Sequence, residues 1–571
     1  MGTLRKAFYL QLALRNIRRS RRTWLPYMLA TGIMSGSFLL ITGLLFSETL
    51  NNLPSGRSAT MVFGMGIVIF ALFTFFFMTY INNYLIRQRK KEFGLYGILG
   101  MERRHVARVL LWENLITLLA GVLLGLVIAL VFGRLLFLLL LNLIHTASDS
   151  RFSLSSAAYG LTGLLFLAVF IFTSLINLRQ LRLSSPMLLL QSERRGEKSA
   201  RLAWPAAALG LVMLLFAYGC AWGIEQPGIA IGVFFLLAAL VIIATYLLFG
   251  SGSIALLKLL RRNKRLYYRT QNFIAISGMF QRMRQNARSL ATICILSTML
   301  LVTVSGTLAL YLGQEAMLEG MYPYDVQVYL PEDADAEEAR AFEAQVTALA
   351  AEHGVALSAD PGKLVRVLAP GEQYRRNNFA EPGAAVHTLE SMLFIDGSLR
   401  FDAEGRFEDC LAFERALWDM YAEAYEHRSM SAVFSAREEG FGVYGGLLFL
   451  GAFFGALFLA ITVLIIYFKQ ISEGNEDKAQ FAIMQKVGMD DALVKSTINR
   501  QVLWVFFAPL CMTALHMLFA SRIIARMLRA FMLYDWLLVL ACIGGAVLAF
   551  ALVYLVIYRL TARVYYRIVK W

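Results

Sequence analysis

A chain of 571 residues that is 58% apolar and only 16% charged is too poor in charge for a soluble globular protein, where about half the residues are apolar and about a quarter charged. Its net charge of +15 is the balance between −15 on one polar stretch, residues 314–443, and +30 on the remainder. That division follows membrane topology, and neither a nucleic-acid partner nor a cofactor is expected.

Crossing the hydrocarbon takes roughly 20 mainly apolar residues. Ten such runs occur, at 24–46, 61–86, 110–141, 157–177, 203–222, 229–250, 290–312, 444–468, 502–525 and 536–558. The connections on one side hold 38 Lys and Arg and the four short connections on the other hold 4, which predicts that both termini are cytoplasmic. The expected fold class is a polytopic α-helical membrane protein.

Residues 1–23 place Leu4, Ala7, Phe8 and Leu12 at helical spacing among Arg and Lys, as in a helix lying at the inner membrane surface. The run at 24–46 is too long for a signal-peptide core and has no clear cleavage site, so it reads as an uncleaved anchor. Runs two to four fill 61–177 around a cytoplasmic loop at 87–109. Runs five and six form a hairpin at 203–250, and a basic segment at 251–289 leads into run seven. There Met283, Arg284, Arg288 and Ser289 echo Ile17, Arg18, Arg22 and Thr23 at an offset of 266.

Between runs seven and eight lies the polar stretch 314–443, expected outside. Val326, Val328 and Leu330 alternate with polar residues as a strand does. Apolar positions from Ala334 to His353 keep helical spacing, VALSADPGKLVRVLAPG reads as two more strands, and Phe407 to Tyr425 as a second helix. This predicts a small α+β domain with its own core. Its acidity either draws in cationic peptides or merely reflects the exclusion of Lys and Arg from outer segments. Runs eight to ten fill 444–558 around a loop at 469–501, and 559–571 form a cytoplasmic tail. Cys410 stands alone in the outer domain, and Cys220, Cys294, Cys511 and Cys542 lie in the runs, so no disulfide framework is expected.

The most specific signal is a repeat. Arg87 to Thr117 returns at Gly474 to Phe506 with a constant offset of 388, pairing Lys90 with Lys478, Phe93 with Phe481, Leu99 with Val487, Gly100 with Gly488, Met101 with Met489 and Glu102 with Asp490. The two offsets differ by 122 residues, which locates the outer domain as an insertion into the second of two repeated halves, runs one to four and seven to ten. Inside the membrane Arg134 falls on Arg522 at the same offset. An intramembrane arginine is a functional-site candidate, or it snorkels to the nearby interface. Gly121-x-x-x-Gly125 and Gly442, Gly446, Gly451 and Gly455 point to close helix packing.

The copied loop reads best as a docking surface. Phe93, Tyr96 and Leu99, like Phe481, Met484 and Val487, fall at i, i+3 and i+6 on one helical face. Gly100 and Gly488 end a short helix, and Asp490 suits the N-cap of the next. Two such faces fit the two members of a dimeric partner; packing on neighbouring membrane helices is the alternative. Catalysis is not expected. No phosphate-binding Gly-x-x-x-x-Gly-Lys-[Ser/Thr] loop exists, His105, His145, His353, His387, His427 and His516 show no metal-binding spacing, and the runs carry no relay for an ion-driven carrier.

The strings KKEFGLYGILGMERRHV and QISEGNEDKAQFAIMQKVGMDDALVKSTINRQVLWVFFAPL, with LALRNIRRSRRTWLPY and YPYDVQV, resemble the FtsX-like permease superfamily, and most closely its ten-span Bce (bacitracin-resistance) branch. The resemblance implies the permease subunit of an ABC transporter in a bacterial cell membrane, relaying motion from a separate cytoplasmic ATPase dimer to an extracellular domain. It also implies ATPase contacts at Glu92, Phe93, Gly100, Met101, Phe481, Gly488, Met489 and Asp490. The work of that branch is resistance to peptide antibiotics that attack lipid-linked cell-wall intermediates, often with a sensor histidine kinase. A sensor scaffold without detoxifying activity and the extrusion of lipoprotein or another amphiphile are the competing expectations.

Overall fold

The computed structural model describes residues 2–52, 54–146, 152–183, 203–267, 270–331, 336–359, 386–388, 392–395, 398–424, 430–486 and 491–569. Ten of its helices are long and apolar enough to cross a membrane. In chain order the first half comprises α1 (Gly2–Arg19), α2 (Arg21–Leu45), α3 (Glu48–Asn51), α4 (Pro54–Gln88), α5 (Lys90–Ile98), α6 (Arg103–Leu143) and α7 (Ser156–Leu183). A hairpin of α8 (Ala203–Gly223) and α9 (Pro227–Leu247) follows, and a π-helical turn, Leu248–Gly252, leads into α10 (Ser253–Arg262) and α11 (Lys264–Tyr267). The second half opens with α12 (Thr270–Leu312) and α13 (Gln314–Met321).

Packing of the bundle follows from its small residues. Helices α2 and α6 cross so closely at Gly32, Gly36, Gly121 and Gly125 that a methyl group built on Gly36 stands 2.8 Å from the Gly125 carbonyl oxygen. In the second half α12 meets α16 (Val433–Lys486), where a methyl on Gly455 stands 2.6 Å from Val304 Cγ2. The small-residue intervals in the sequence therefore mark real crossings, as van der Waals packing between membrane helices demands. The two halves join through α4 and α16 by a ladder of phenylalanines: Phe63 on Phe449, Phe70 on Phe454 and Phe73 on Phe458, with centroids 5.7, 5.5 and 4.9 Å apart.

Beyond α13 the chain builds β1 (Val326–Tyr329), α14 (Ala336–Glu352), β2 (Ala356–Ser358), β3 (Val386–Thr388), β4 (Leu393–Ile395), β5 (Ser398–Glu404), α15 (Phe407–Ala424) and β6 (Met430–Ala432). The first strand and both helices lie where their periodicity predicts. The third strand expected, within residues 363–371, falls outside the described residues. An antiparallel six-stranded sheet runs β3-β4-β5-β1-β6, with β2 also pairing β5. Val326, Val328, Leu399 and Phe401 of the sheet and Phe342, Val346, Phe413, Leu417 and Tyr421 of the two helices form the domain's own core.

The central strand β1 and the edge strand β6 connect the sheet to the membrane. Val433 donates its N–H to the Asp325 carbonyl at 2.9 Å, and the Asp325 carboxylate accepts from the Ala403 N–H at 3.1 Å. Glu414 of α15, 5% exposed, accepts the backbone N–H groups of Phe434 at 3.0 Å and Ser435 at 3.1 Å, and the Ser435 hydroxyl as well. These are two of the first-turn donors that α16 leaves unsatisfied, and a carboxylate suits the positive end of the helix. From that cap α16 continues without a break for 54 residues, a length of about 80 Å at 1.5 Å per residue. Helices α17 (Asp491–Arg529) and α18 (Trp536–Val569) complete the fold.

Candidate functional site

Both ends of α5, the first copy of the repeated loop, are fixed. At its C-terminus Met101 donates its N–H to the Tyr96 carbonyl at 2.9 Å and Gly100 to that of Gly97 at 3.3 Å. This closure needs a left-handed residue at position 100, where φ is +86°, and glycine adopts it without a Cβ penalty. At the N-terminus Arg89 leaves the helical conformation, with φ −96° and ψ 5°, and its side chain turns into the bundle.

There Arg89, 2% exposed, meets Glu113 of α6, 0% exposed. The guanidinium donates from Nη1 to Oε2 at 2.6 Å and from Nη2 to Oε1 at 2.9 Å, and from Nε to Glu92 Oε2 at 2.9 Å. The paired geometry is the strong, directional form of a charged hydrogen bond. Asn16 of α1 donates from Nδ2 to Glu113 Oε1 at 2.8 Å, and the Tyr96 hydroxyl donates to Asn16 Oδ1 at 3.2 Å. The rings of Trp24 on α2 and Phe93 on α5 stand 5.0 and 5.2 Å from the guanidinium carbon, within cation–π range. Burial pulls the Arg89 pKa down, but the charge and hydrogen bonds of Glu113, then those of Glu92, outweigh it and leave it raised.

One residue further along α6, Asn114 accepts from the Tyr27 hydroxyl at 3.4 Å and donates to Thr173 Oγ1 at 3.3 Å and Ser174 Oγ at 2.9 Å. Asn82 of α4 and Asn177 of α7 exchange amide hydrogen bonds at 2.7 and 3.2 Å. Three neighbouring polar clusters thus tie α1, α5 and α6, then α2, α6 and α7, then α4 and α7. The sequence signal for the first of them is Glu113, the lone carboxylate in the run 110–141. A charge in such a run is costly unless paired, so a cation partner had to exist.

This anchor turns part of the expected docking face inward. Phe93 is 6% exposed and packs on Ile86, Val106 and Leu110 with Tyr96, Met101 and Leu181. Arg89 holds its own side of the turn inward, and residues four and seven positions on share that side. Of the expected face Leu99 is turned outward, 71% exposed, together with Leu95 and Ile98, exposed by 52 and 62%, at i, i+3 and i+4. Glu92 is half-buried against Arg89, while Glu102 is exposed at the N-cap position of α6, where its side chain makes no capping bond.

In the second copy Phe481 and Met484 lie in the last turns of α16; Val487, Gly488, Met489 and Asp490 lie outside the described residues. The expected short separate helix is not formed there: the segment continues span eight. The offset gives a reason, since Arg89 corresponds to Asp477 and Glu113 to Gln501, so the buried pair that breaks the first copy has no counterpart in sequence. Arg134 is exposed on α6 and makes no hydrogen bond or ion pair with the described residues. Arg522 stacks on Trp222, 4.2 Å from its ring centroid.

Residues 64–186, spanning α4 to α7, match the family described as FtsX-like permease C-terminal. Over 93% of its length the chain is 20% identical to 95% of an uncharacterized ABC transporter permease, YvcS, of Bacillus subtilis. It is also 20% identical over 92% of its length to 96% of the bacitracin export permease protein BceB of the same organism. With the bacitracin export permease protein BceB of Halalkalibacterium halodurans it is 26% identical over 57% of this chain and 51% of that one.

Proposed function

We propose that this chain, an ABC transporter permease by its FtsX-like domain and Bce-type homologues, transmits motion from a separate ATPase dimer to its outer domain. One ATPase docks on the outward face of α5, at Leu95, Ile98 and Leu99 beside Glu102. The other docks on the second copy, at the end of α16 and in the residues that follow it, around Phe481, Met484 and Gly488. Peptide antibiotics that act on lipid-linked cell-wall intermediates are the targets from which the stroke gives resistance, and the loops face the cytoplasm.

The observation that carries this reading is the single helix α16, which begins under the Glu414 cap in the outer domain and ends in the copied loop. A rigid element joining the two is what transmission requires. The test compares two aspartate substitutions in a strain challenged with a bacitracin-type peptide. Leu99→Asp is expected to abolish resistance and to uncouple ATP hydrolysis while the permease still assembles. Phe93→Asp is expected to lower permease abundance, because it puts a carboxylate into the packed cluster on α6. Unchanged tolerance with Leu99→Asp would sink the docking assignment. Resistance that vanishes when a partner kinase is deleted at fixed permease expression would favour a sensor scaffold.

A further inference from the structure

The outer-domain side of the membrane carries a second concentration of charge that the proposed stroke does not use. Its four short connections hold only 4 Lys and Arg, and two of these, Arg526 and Arg529, share one face of α17 with Arg522 at i, i+4 and i+7. The location is fixed by the turn that follows α17: Leu533 lies against Gly313, where the chain leaves α12 for the outer domain. Arg522 and Arg529 are exposed and Arg526 is 8% exposed. Among the described residues none of the three forms an ion pair, and the single hydrogen bond of their side chains runs from Arg526 Nη1 to the Trp222 carbonyl at 3.1 Å. Glu225 is the carboxylate whose charge reaches Arg526, against the like charges of Arg522 and Arg529.

The wall below the arginines is apolar. On α17 the same face continues through Leu518 and Leu515, exposed by 62 and 39%, and on α8 through Leu215 and Leu211, exposed by 59 and 49%, with Trp222 at 52%. The hairpin is fastened to this wall by buried His516 of α17, whose Nδ1 lies 2.6 Å from the Tyr218 hydroxyl and whose Nε2 lies 3.1 Å from Thr245 Oγ1. Trp222 is thereby held under Arg522, as an interfacial indole is.

We propose that Arg522, Arg526 and Arg529, with Trp222, form a binding site for the phosphate headgroup of a membrane lipid, whose chains lie along the apolar wall of α8 and α17. Guanidinium groups with unused N–H donors match phosphate oxygens in paired geometry. A site that begins about 10 Å inside the end of α17, at 1.5 Å per residue, and continues into exposed leucine suits an amphiphile. This site stands independently of the proposed function, because it concerns neither the copied loops nor α16.

The test is local hydrogen exchange on the full chain in nanodiscs of phosphatidylcholine, doped with phosphatidic acid, with diacylglycerol of the same chains, or bathed in inorganic phosphate. Phosphatidic acid is expected to slow exchange in residues 522–535. Arg522→Gln/Arg529→Gln is expected to weaken that effect by about tenfold or more, the order for two cations facing lipid. Arg522→Lys/Arg529→Lys should retain most of it, and Arg57→Gln, in another connection on this side, all of it. Equal slowing by diacylglycerol, equal slowing by inorganic phosphate, or an undiminished effect in the glutamine variant would each overturn the assignment. Unchanged exchange elsewhere in the variants certifies their fold.

Discussion

Replacing Glu113 by leucine removes the carboxylate that accepts both guanidinium nitrogens of Arg89 and the Asn16 amide. Arg89 would keep its bond to Glu92, which is 44% exposed in its side chain, and would lose the fully buried counter-charge of Glu113. Removing one partner of a buried pair costs about 3–5 kcal/mol, whereas replacing both by apolar residues of similar volume is often neutral. Glu113→Leu is therefore expected to lower the thermal midpoint of the purified permease and its membrane abundance, and Arg89→Met/Glu113→Leu to recover most of that stability. The sign with pH is fixed as well. Because the Arg89 pKa is raised in the fold, its stabilisation is present below the ordinary guanidinium value and is lost only as pH climbs through the raised one, so the arginine contributes evenly across neutral pH. The assay is a double-mutant cycle on the thermal midpoint, with ATPase-coupled resistance as a second readout. The double variant should assemble stably yet couple poorly, since the introduced methionine and leucine would pack but supply no directional bond to orient α5. A Glu113→Leu protein as stable as the parent, or a double variant as unstable as the single one, would refute the pairing argument. Full resistance in the stable double variant would refute the role of the pair in orienting α5.

Two further outcomes test the architecture. Glu414→Ala deprives the first turn of α16 of its acceptor, a loss of about 1–2 kcal/mol on the scale of helix caps; hydrogen exchange over residues 430–437 should accelerate while the bundle is unaffected, and unchanged exchange there would remove Glu414 from the joint. Gly36→Leu drives a side chain into the Gly125 backbone and, as overpacking typically costs about 1–3 kcal/mol, should lower the thermal midpoint more than Gly160→Leu, where no atom lies within 4 Å of the added carbon.

Much of the bundle is legible because hydrophobic length is a strong signal. All ten apolar runs correspond to helices long enough to span, and the small residues at Gly121, Gly125, Gly451 and Gly455 sit at crossings. In the outer domain β1, α14 and α15 follow from periodicity. Strands β3, β4 and β6, three residues each, are too short to alternate recognisably and exist through pairing across the chain. The outward face of α5 shares only Leu99 with the face its periodicity marks, because spacing reports which residues share a side and not which way that side turns. Phe93, Tyr96 and Leu99 could equally be buried or docked, and the direction is set by Arg89 and Glu113, 24 positions apart. Burial of that kind is a tertiary fact, although the isolated carboxylate in an apolar run announces that some partner has to be found.

The two copies of the loop, alike in sequence, are mechanically unequal. The first is a nine-residue helix separated from α4 by the break at Arg89 and held to α1 and α6 by hydrogen bonds and to α2 by the Arg89–Trp24 contact, so a force on it is delivered to much of the first half. The second is the end of α16, and a force on it passes along one continuous helix to the Glu414 cap. For a rod of about 80 Å pivoting near its centre, a tilt of about 5° moves each end by about 3.5 Å, enough to shear β6 against β1 because Val433 and Asp325 are hydrogen-bonded at the joint. The phenylalanine ladder between α4 and α16 is the bearing against which such a tilt would act, with one stacked pair, Phe70 on Phe454, between two edge-to-face pairs. Under the proposed function the first contact anchors and the second drives. It follows that a flexible Gly-Gly insertion in α16 near Tyr467, below the ladder, should abolish resistance while leaving ATPase binding at α5 intact; retained resistance would show that the stroke travels by another route.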